Sequence, residues 1–213
     1  PAYAKIFHGP QWRLVVLTKS SCPMVDSPIF NPRIGREFTE CASWRDKALE
    51  YIVKAQPEIV IMGTTHTAGF SRETWVSGTD RVLSRIAAHS GRIIIMRSTP
   101  LLPFNGPECA WTHAGKSSGS DQYKACSAPA ADPLNDEVAA WLGEAARKWK
   151  NVDVINMNDE VCPDGTCRAV IEGVLTYRDT QHLTAQYVES LADQLRVELG
   201  DVLKQDSNVD APQ

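Results

Sequence analysis

The segment TYRDTQHLTAQYVESLADQL, from Thr176, sets an aspartate three residues before a histidine, where a strand-like run gives way to a helical period. Two readings fit Asp179 and His182. In one, Asp179 or Thr180 caps the final helix and His182 sits in its first turn. In the other, the Asp179 carboxylate accepts a hydrogen bond from one ring nitrogen of His182, and the second nitrogen serves as general base for a hydroxyl nucleophile. Spacing alone leaves both open. A second polar cluster, Gly63, Thr64, Thr65 and His66 in MGTTHTAG, directly follows a strand-like run. Groups at a strand end can face a substrate or donate to an oxyanion, and loops there carry function disproportionately. The plainer alternative is a solvated loop histidine, with Gly63 and Gly69 easing tight turns.

Other candidates are weaker. Ser20 and Ser21 also follow a strand-like run, but the adjacent Cys22–Pro23 reads as a stapled loop rather than a nucleophile's setting. His8, His89 and His113 have no partner in sequence and read as surface residues. Trp44, Trp141 and Trp149 read as packing residues, while Trp75 and Trp111, in less regular stretches, stay open as carbohydrate-stacking platforms. No GxSxG elbow, phosphate loop, GxGxxG or HExxH occurs.

Six cysteines fall into three local pairs, Cys22 with Cys41, Cys109 with Cys126, and Cys162 with Cys167. An even count suggests disulfides and an oxidising compartment, and neighbour pairing is the simplest proposal. Cys162 and Cys167 are too widely spaced for a zinc knuckle and have no second close pair, so no metal is expected.

The elements that must position these groups follow from periodicity. Arg13–Thr18, Glu58–Gly63, Arg92–Ser98 and Val152–Met157 are short apolar runs that read as strands, the third buried on both faces. Helical periods cover Thr39–Gln56, with Ala42, Ala48, Leu49, Ile52 and Val53 inward and Thr39 as cap. Further periods cover Asp80–Gly91 and Pro133–Lys150, the latter with Val138, Trp141, Leu142 and Ala145 inward. Leu183, Tyr187, Leu191, Leu195 and Leu199 recur every four residues along a last helix. Thr99 to about Pro133 is a long irregular stretch, and RAVIEGVLTYR reads as two short strands meeting at Gly173. The polar tail from about Gln205 is expected to be disordered. Strands alternating with helices imply a mostly parallel sheet covered on both faces, with its site at the carboxyl ends of the strands.

Length and composition bound the rest. The chain has 213 residues, 43% hydrophobic and 23% charged, enough for one α/β domain. A net charge of −4 gives no reason to expect nucleic acid or an anionic membrane surface as partner. No apolar run reaches membrane-spanning length and no signal peptide is visible. Pro1 without a methionine reads as the start of a fragment or a processed product.

Four blocks together resemble a known family. RLVVLTKSSCP, ECASWRDKALEYIVKAQPEIVIMG, RSTPLLPFNGPECA and VCPDGTCRAVIEGVLTYRDTQHLT look like the SGNH-hydrolase-like domain fused to bacterial membrane acyltransferase 3 proteins. The resemblance runs from about Trp12 to Leu199. It implies a three-layer α/β/α fold, flavodoxin-like, over residues 1–204, and a Ser-His-Asp triad with Asp179 and His182 as its last two members. It also implies no cofactor, an acyl donor delivered by a membrane acyltransferase domain, and a cell-envelope sugar or glycolipid as acceptor. The location implied is extracytoplasmic, with membrane tethering through a domain outside this chain. The family's Gly-Asp-Ser-His block is absent, so the expectation is that the first strand and the nucleophilic serine lie upstream. The asparagine usual after the strand matched by EIVIMG is replaced by TTHTAG. A backbone amide, a threonine or His66 is expected to stand in for it. A free carbohydrate O-acyl esterase and a non-catalytic envelope-binding module are the rival expectations.

Overall fold

A computed structural model of the chain describes residues 1–114 and 124–204; the expected tail lies outside the described residues. In chain order the elements begin with α1 (Ala2–Ile6), a small hairpin of β1 (Phe30–Asn31) and β2 (Arg36–Glu37), then α2 (Thr39–Ala55) and β3 (Ile59–Gly63). A 3-10 turn (His66–Ala68) leads to α3 (Arg72–Ile86) and β4 (Arg92–Met96). After these come α4 (Gly106–His113), β5 (Ser127–Pro129), α5 (Pro133–Ala146), β6 (Val152–Ile155) and α6 (Asn158–Val161). The chain continues through β7 (Thr166–Arg168), β8 (Val170–Ile171), β9 (Val174–Leu175), α7 (Ala185–Ser190) and α8 (Ala192–Lys204).

These elements form two compact units, each drawn from separated stretches. One comprises Val16–Ser98 and Pro133–Asn156; the other comprises the described parts of Pro1–Val15, Thr99–Asp132 and Met157–Gln213.

The first unit is built on a parallel sheet in the order β3-β4-β6. Ile59 pairs with Arg92 through to Gly63 with Met96, and Ile93 with Val152 through to Met96 with Ile155. Successive strand side chains point to opposite faces. Ile93, Ile94 and Ile95 are all buried, so β4 is covered on both faces as its unbroken apolar run implies. Leu49 and Ile52 of α2, Trp75, Val82, Leu83 and Ile86 of α3, and Val138 and Leu142 of α5 pack with the strands into one core. In α2 the buried positions Cys41, Arg45, Ala48, Leu49 and Ile52 follow the period of one helix face. Gly78 lets α3 lie against the loop before β1, because a Cβ there would come within 2.5 Å of the Val25 side chain.

Several sequence expectations are corrected here. Arg13–Thr18 forms no strand, and Leu14, Val15, Val16 and Leu17 are exposed, Val16 to 71%. A strand exists by its ladder, and no neighbour among the described residues pairs with this run. α3 starts at Arg72 rather than near Asp80, because Ser71 caps it by accepting the Thr74 N–H. Trp75 thereby lies inside α3, 1% exposed, in the core rather than on a sugar platform. Phe38, not Thr39, occupies the cap position of α2, with no side-chain cap bond.

The second unit is a mixture of short strands and helices. β5 pairs antiparallel with β7, and β8 with β9. The β8–β9 turn has Glu172 at φ 50° and Gly173 at φ 79°, the pair of left-handed residues a tight hairpin requires. The stretch expected to be irregular contains α4, capped by Asn105, which accepts the Glu108 N–H, with Pro107 in its first turn. The last helix is two helices, α7 and α8, interrupted at Leu191. Leu102, Cys126, Val161, Cys162, Cys167, Ala169 and Tyr177 form this unit's own core.

The cysteines pair as neighbours: Cys22–Cys41, Cys109–Cys126 and Cys162–Cys167. His113 is not the unpartnered surface residue expected. Its Nδ1 donates to the Cys109 carbonyl at 2.9 Å and lies 3.5 Å from Cys126 Sγ. Among the described residues no helix is long and apolar enough to cross a membrane.

Candidate functional site

Asp179 and His182 sit on a tight loop between Tyr177 and Leu183, which form an antiparallel bridge. The loop closes on itself where Arg178 N donates to the His182 carbonyl at 2.8 Å. The helix that follows starts later than the capping reading required. Thr184 is the cap, its hydroxyl accepting the Tyr187 N–H at 3.1 Å, so Asp179 does not cap α7. The carboxylate is thus available to the loop itself. Asp179 Oδ1 accepts the N–H groups of Gln181 at 2.8 Å and His182 at 2.7 Å, and Oδ2 lies 2.7 Å from His182 Nδ1.

That geometry determines the imidazole's roles. A carboxylate only accepts, so Nδ1 carries the proton it donates. Nε2 is left with its lone pair, with no bond to it among the described residues, on a half-exposed ring. Partial burial works to raise the Asp179 pKa. The N–H bonds from His182 and Gln181 and the imidazole outweigh it and hold the group at about 2.

A strap from Thr99 to Gly106 supports this loop from behind. Thr99 Oγ1 donates to the Gln181 carbonyl at 3.0 Å, Leu102 N to the Thr180 carbonyl at 2.8 Å, and Gly106 N to the Asp179 carbonyl at 3.4 Å. Gly106 is buried, and a Cβ on it would stand 3.2 Å from Tyr177 Cβ. Tyr177 donates its hydroxyl to the Pro100 carbonyl at 3.2 Å, and burial pushes that phenol well above its ordinary range. Neither the strap's hydroxyl nor its glycine carries a sequence signal, because their partners lie more than 70 residues away in the chain and no spacing rule reaches that far.

The cluster after β3 belongs to the sheet-bearing unit. Gly63 and Thr65 are exposed, and Thr65 Oγ1 accepts the Thr67 N–H at the start of the 3-10 turn. Gly69 closes the turn at φ 72°, a conformation glycine adopts at no cost. Among the described residues the Thr64 hydroxyl has no hydrogen-bond partner; it is buried and lines a small cavity with Met24, Met62, Thr79 and Leu142, and the buried Thr79 hydroxyl likewise has no partner among them. His66 is 2% exposed, with Nδ1 2.7 Å from Ser98 Oγ and 3.4 Å from Asn135 Nδ2. Ser98 and Asn135 were not legible as partners, being 32 and 69 residues from His66.

Ser20 and Ser21 are exposed in the loop that Cys22–Cys41 ties down, with Ser21 at φ 57°. Trp111, on α4, is 84% exposed. Cys109, His113 and Cys126 bring three potential metal ligands together, but the two sulfurs are bonded to each other.

Residues 1–196 match the family described as the SGNH domain fused to AT3 domains. No curated protein sequence matches the chain. Among solved structures, the chain resembles the periplasmic domain of a lipopolysaccharide acetyltransferase from Salmonella ser. Paratyphi A, with a TM-score of 0.60 and 17% identity. The likeness covers 85% of this chain and 67% of that one. At that identity it is a likeness of fold, and it supports the α/β/α architecture around the parallel sheet.

Proposed function

The chain belongs to the family of SGNH domains fused to AT3 domains, and from that membership we propose that it is the extracytoplasmic acyl-transfer module of a membrane-tethered O-acyltransferase. The observation that carries this reading is the 2.7 Å pairing of Asp179 Oδ2 with His182 Nδ1, which leaves Nε2 basic and accessible. In this reading His182 Nε2 takes the proton of a serine hydroxyl as its oxygen attacks an acyl donor's carbonyl. The proton passes to the departing group, and an acyl-serine ester results. A sugar hydroxyl then attacks that ester, Nε2 takes its proton, and the serine regains one as the new ester leaves. Asp179 keeps the imidazole in the required tautomer and stabilises the imidazolium that forms at each attack.

The nucleophilic serine is proposed to come from sequence outside these 213 residues. Two observations are in keeping with a further strand that brings it. β3 has a neighbour on one side only among the described residues, and the apolar run Leu14–Leu17 is exposed. The loop carrying Gly63, Thr64, Thr65 and His66 is proposed to face substrate, with backbone amides as donors. The Salmonella neighbour's title names an acetyltransferase acting on lipopolysaccharide. By that likeness the proposed group is acetyl, delivered by the AT3 domain, and the acceptor is a cell-envelope glycan or glycolipid.

A fluorophosphonate probe, which labels activated serines, tests the reading on the 213-residue chain and on a longer form that includes upstream sequence. The expected result is labelling of the longer form alone, abolished by His182→Ala. Labelling of the shorter chain at one of its own serines relocates the nucleophile. Absence of labelling in both forms sinks the triad reading and leaves a binding module.

A further inference from the structure

At the carboxyl end of the parallel sheet, Arg97, Asn135, Ser98 and His66 form a chain of hydrogen bonds whose directions can be deduced one after another. A guanidinium nitrogen only donates. Arg97 Nε lies 2.8 Å from Asn135 Oδ1, so the amide oxygen faces Arg97. The other guanidinium arm of Arg97 bonds Asp136, which holds the donor in place. The Asn135 nitrogen therefore points the opposite way, donating to the Ser98 carbonyl at 2.9 Å and standing 3.4 Å from His66 Nδ1. An N–H already directed at Nδ1 leaves that nitrogen as an acceptor. Ser98 Oγ, 2.7 Å away, then donates its hydroxyl proton to it. The imidazole proton is consequently on Nε2.

His66 belongs to the turn that follows β3, while Ser98 follows β4 and Asn135 lies in the first turn of α5. The ring is almost fully buried, in contrast to Gly63, Thr65 and Gly69 around it. We propose that His66 is a positioning residue: a neutral Nε2–H imidazole that latches the strand-end loop Gly63–Gly69 to the ends of β4 and α5, with Ser98 and Asn135 as the groups that hold it. A protonated ring would lose the Ser98 donor and turn an N–H toward the amide N–H of Asn135. The latch therefore works only with the neutral ring. Its consequence for catalysis rests on the reading of that loop as substrate-facing; the latch itself does not.

The direct test is long-range proton–nitrogen NMR on the histidine-labelled 213-residue chain at neutral pH. The latch requires His66 as a single Nε2–H tautomer. Asn135→Asp, which replaces the amide donor by an acceptor, is expected to move the proton to Nδ1. A wild-type ring that is protonated on Nδ1, or averaged between tautomers, overturns the proposal whether or not any variant folds. The catalytic consequence is read in the longer, serine-containing protein with a small acyl ester. Ser98→Ala is expected to lower kcat about tenfold with little change in KM, as loss of loop positioning predicts, and Ser98→Thr, which keeps the hydroxyl, restores it. Equal turnover in wild type and Ser98→Ala overturns the positioning role. Failure of the acyl-transfer reading registers separately, as ester turnover indifferent to His182→Ala.

Discussion

A carboxylate that accepts three N–H bonds within one short loop has little affinity left for a proton. Asp179 is such a group, and its pKa near 2 sets the sign of its contribution. The folded value lies below the unfolded one of about 4, so its contribution to stability is complete above pH 4 and is lost as the pH falls toward 2. The expected acid titration of the loop, followed by the carboxyl carbon shift of Asp179 in NMR, therefore has its midpoint near pH 2. A midpoint at the ordinary carboxylate value would contradict the bonding described. In the serine-containing protein, Asp179→Asn keeps the shape but allows the wrong imidazole tautomer, and kcat is expected to fall by about 10⁴-fold. Steady-state kinetics on the variant measures it. At this scale the sequence was legible where partners are close in the chain. Spacing brings Asp179 and His182 within reach of each other but leaves a cap reading open, and the family resemblance favours the pair; the structure pairs them and gives the cap to Thr184, five residues on. For His66, whose partners are remote, the sequence leaves a substrate-facing and a solvated reading open, and the ring is buried. Thr79 offers a further single-residue test. Its hydroxyl is buried without a partner among the described residues, beside the small cavity it lines with Thr64. Thr79→Val removes a desolvated polar atom at nearly constant volume and is expected to stabilise the chain by about 1 kcal/mol, read as a raised thermal midpoint.

Among the elements, the strap from Thr99 to Gly106 determines where the Asp179–His182 loop stands. Its three donors are spent on three consecutive carbonyls, those of Asp179, Thr180 and Gln181. A change in the strap should therefore reach the chemistry without touching the dyad. Gly106→Ala introduces a Cβ 3.2 Å from Tyr177 Cβ and 3.5 Å from the Asp179 carbonyl oxygen. The loop must give way by a few tenths of an ångström, and turnover is expected to fall about tenfold or more, with a smaller change in stability. Kinetics and thermal melts on the same variant separate the two. Helices α2 and α5 are legible because each buries a periodic apolar face, and strands β3, β4 and β6 because each is a short apolar run, that of β4 unbroken and buried on both faces. Arg13–Thr18 shows the limit of that inference. Its composition is that of a strand, but a run of β-branched residues specifies a preference, and only a neighbouring backbone converts it into a ladder. α4 was missed for the opposite reason: eight residues with one buried position, Gly106, carry no apolar period to detect.

On the scale of the whole molecule, alternation of strands and helices was sufficient to infer a parallel α/β architecture, and the cysteine spacing to infer the three pairings. Two compact units were not legible, because neither is a continuous piece of chain. The unit that carries Asp179 and His182 is assembled from three stretches, two flanking the sheet-bearing sequence and one interrupting it. The strap that fixes the Asp179–His182 loop comes from the middle one of these stretches, and the loop itself from the last. Such interleaving has a consequence for how the protein comes into being. Contacts between distant parts of the chain must pay loop-closure entropy before they return anything, so they form late. A ribosome delivers Asp179 and His182 only after the sheet-forming segments have been made. The loop cannot take its final geometry until Thr99–Gly106 is in place to receive it. The Asp179–His182 arrangement is therefore among the last to be completed during synthesis, and the segment from Met157 onward, taken alone, would be a peptide with both residues and no strap to hold them.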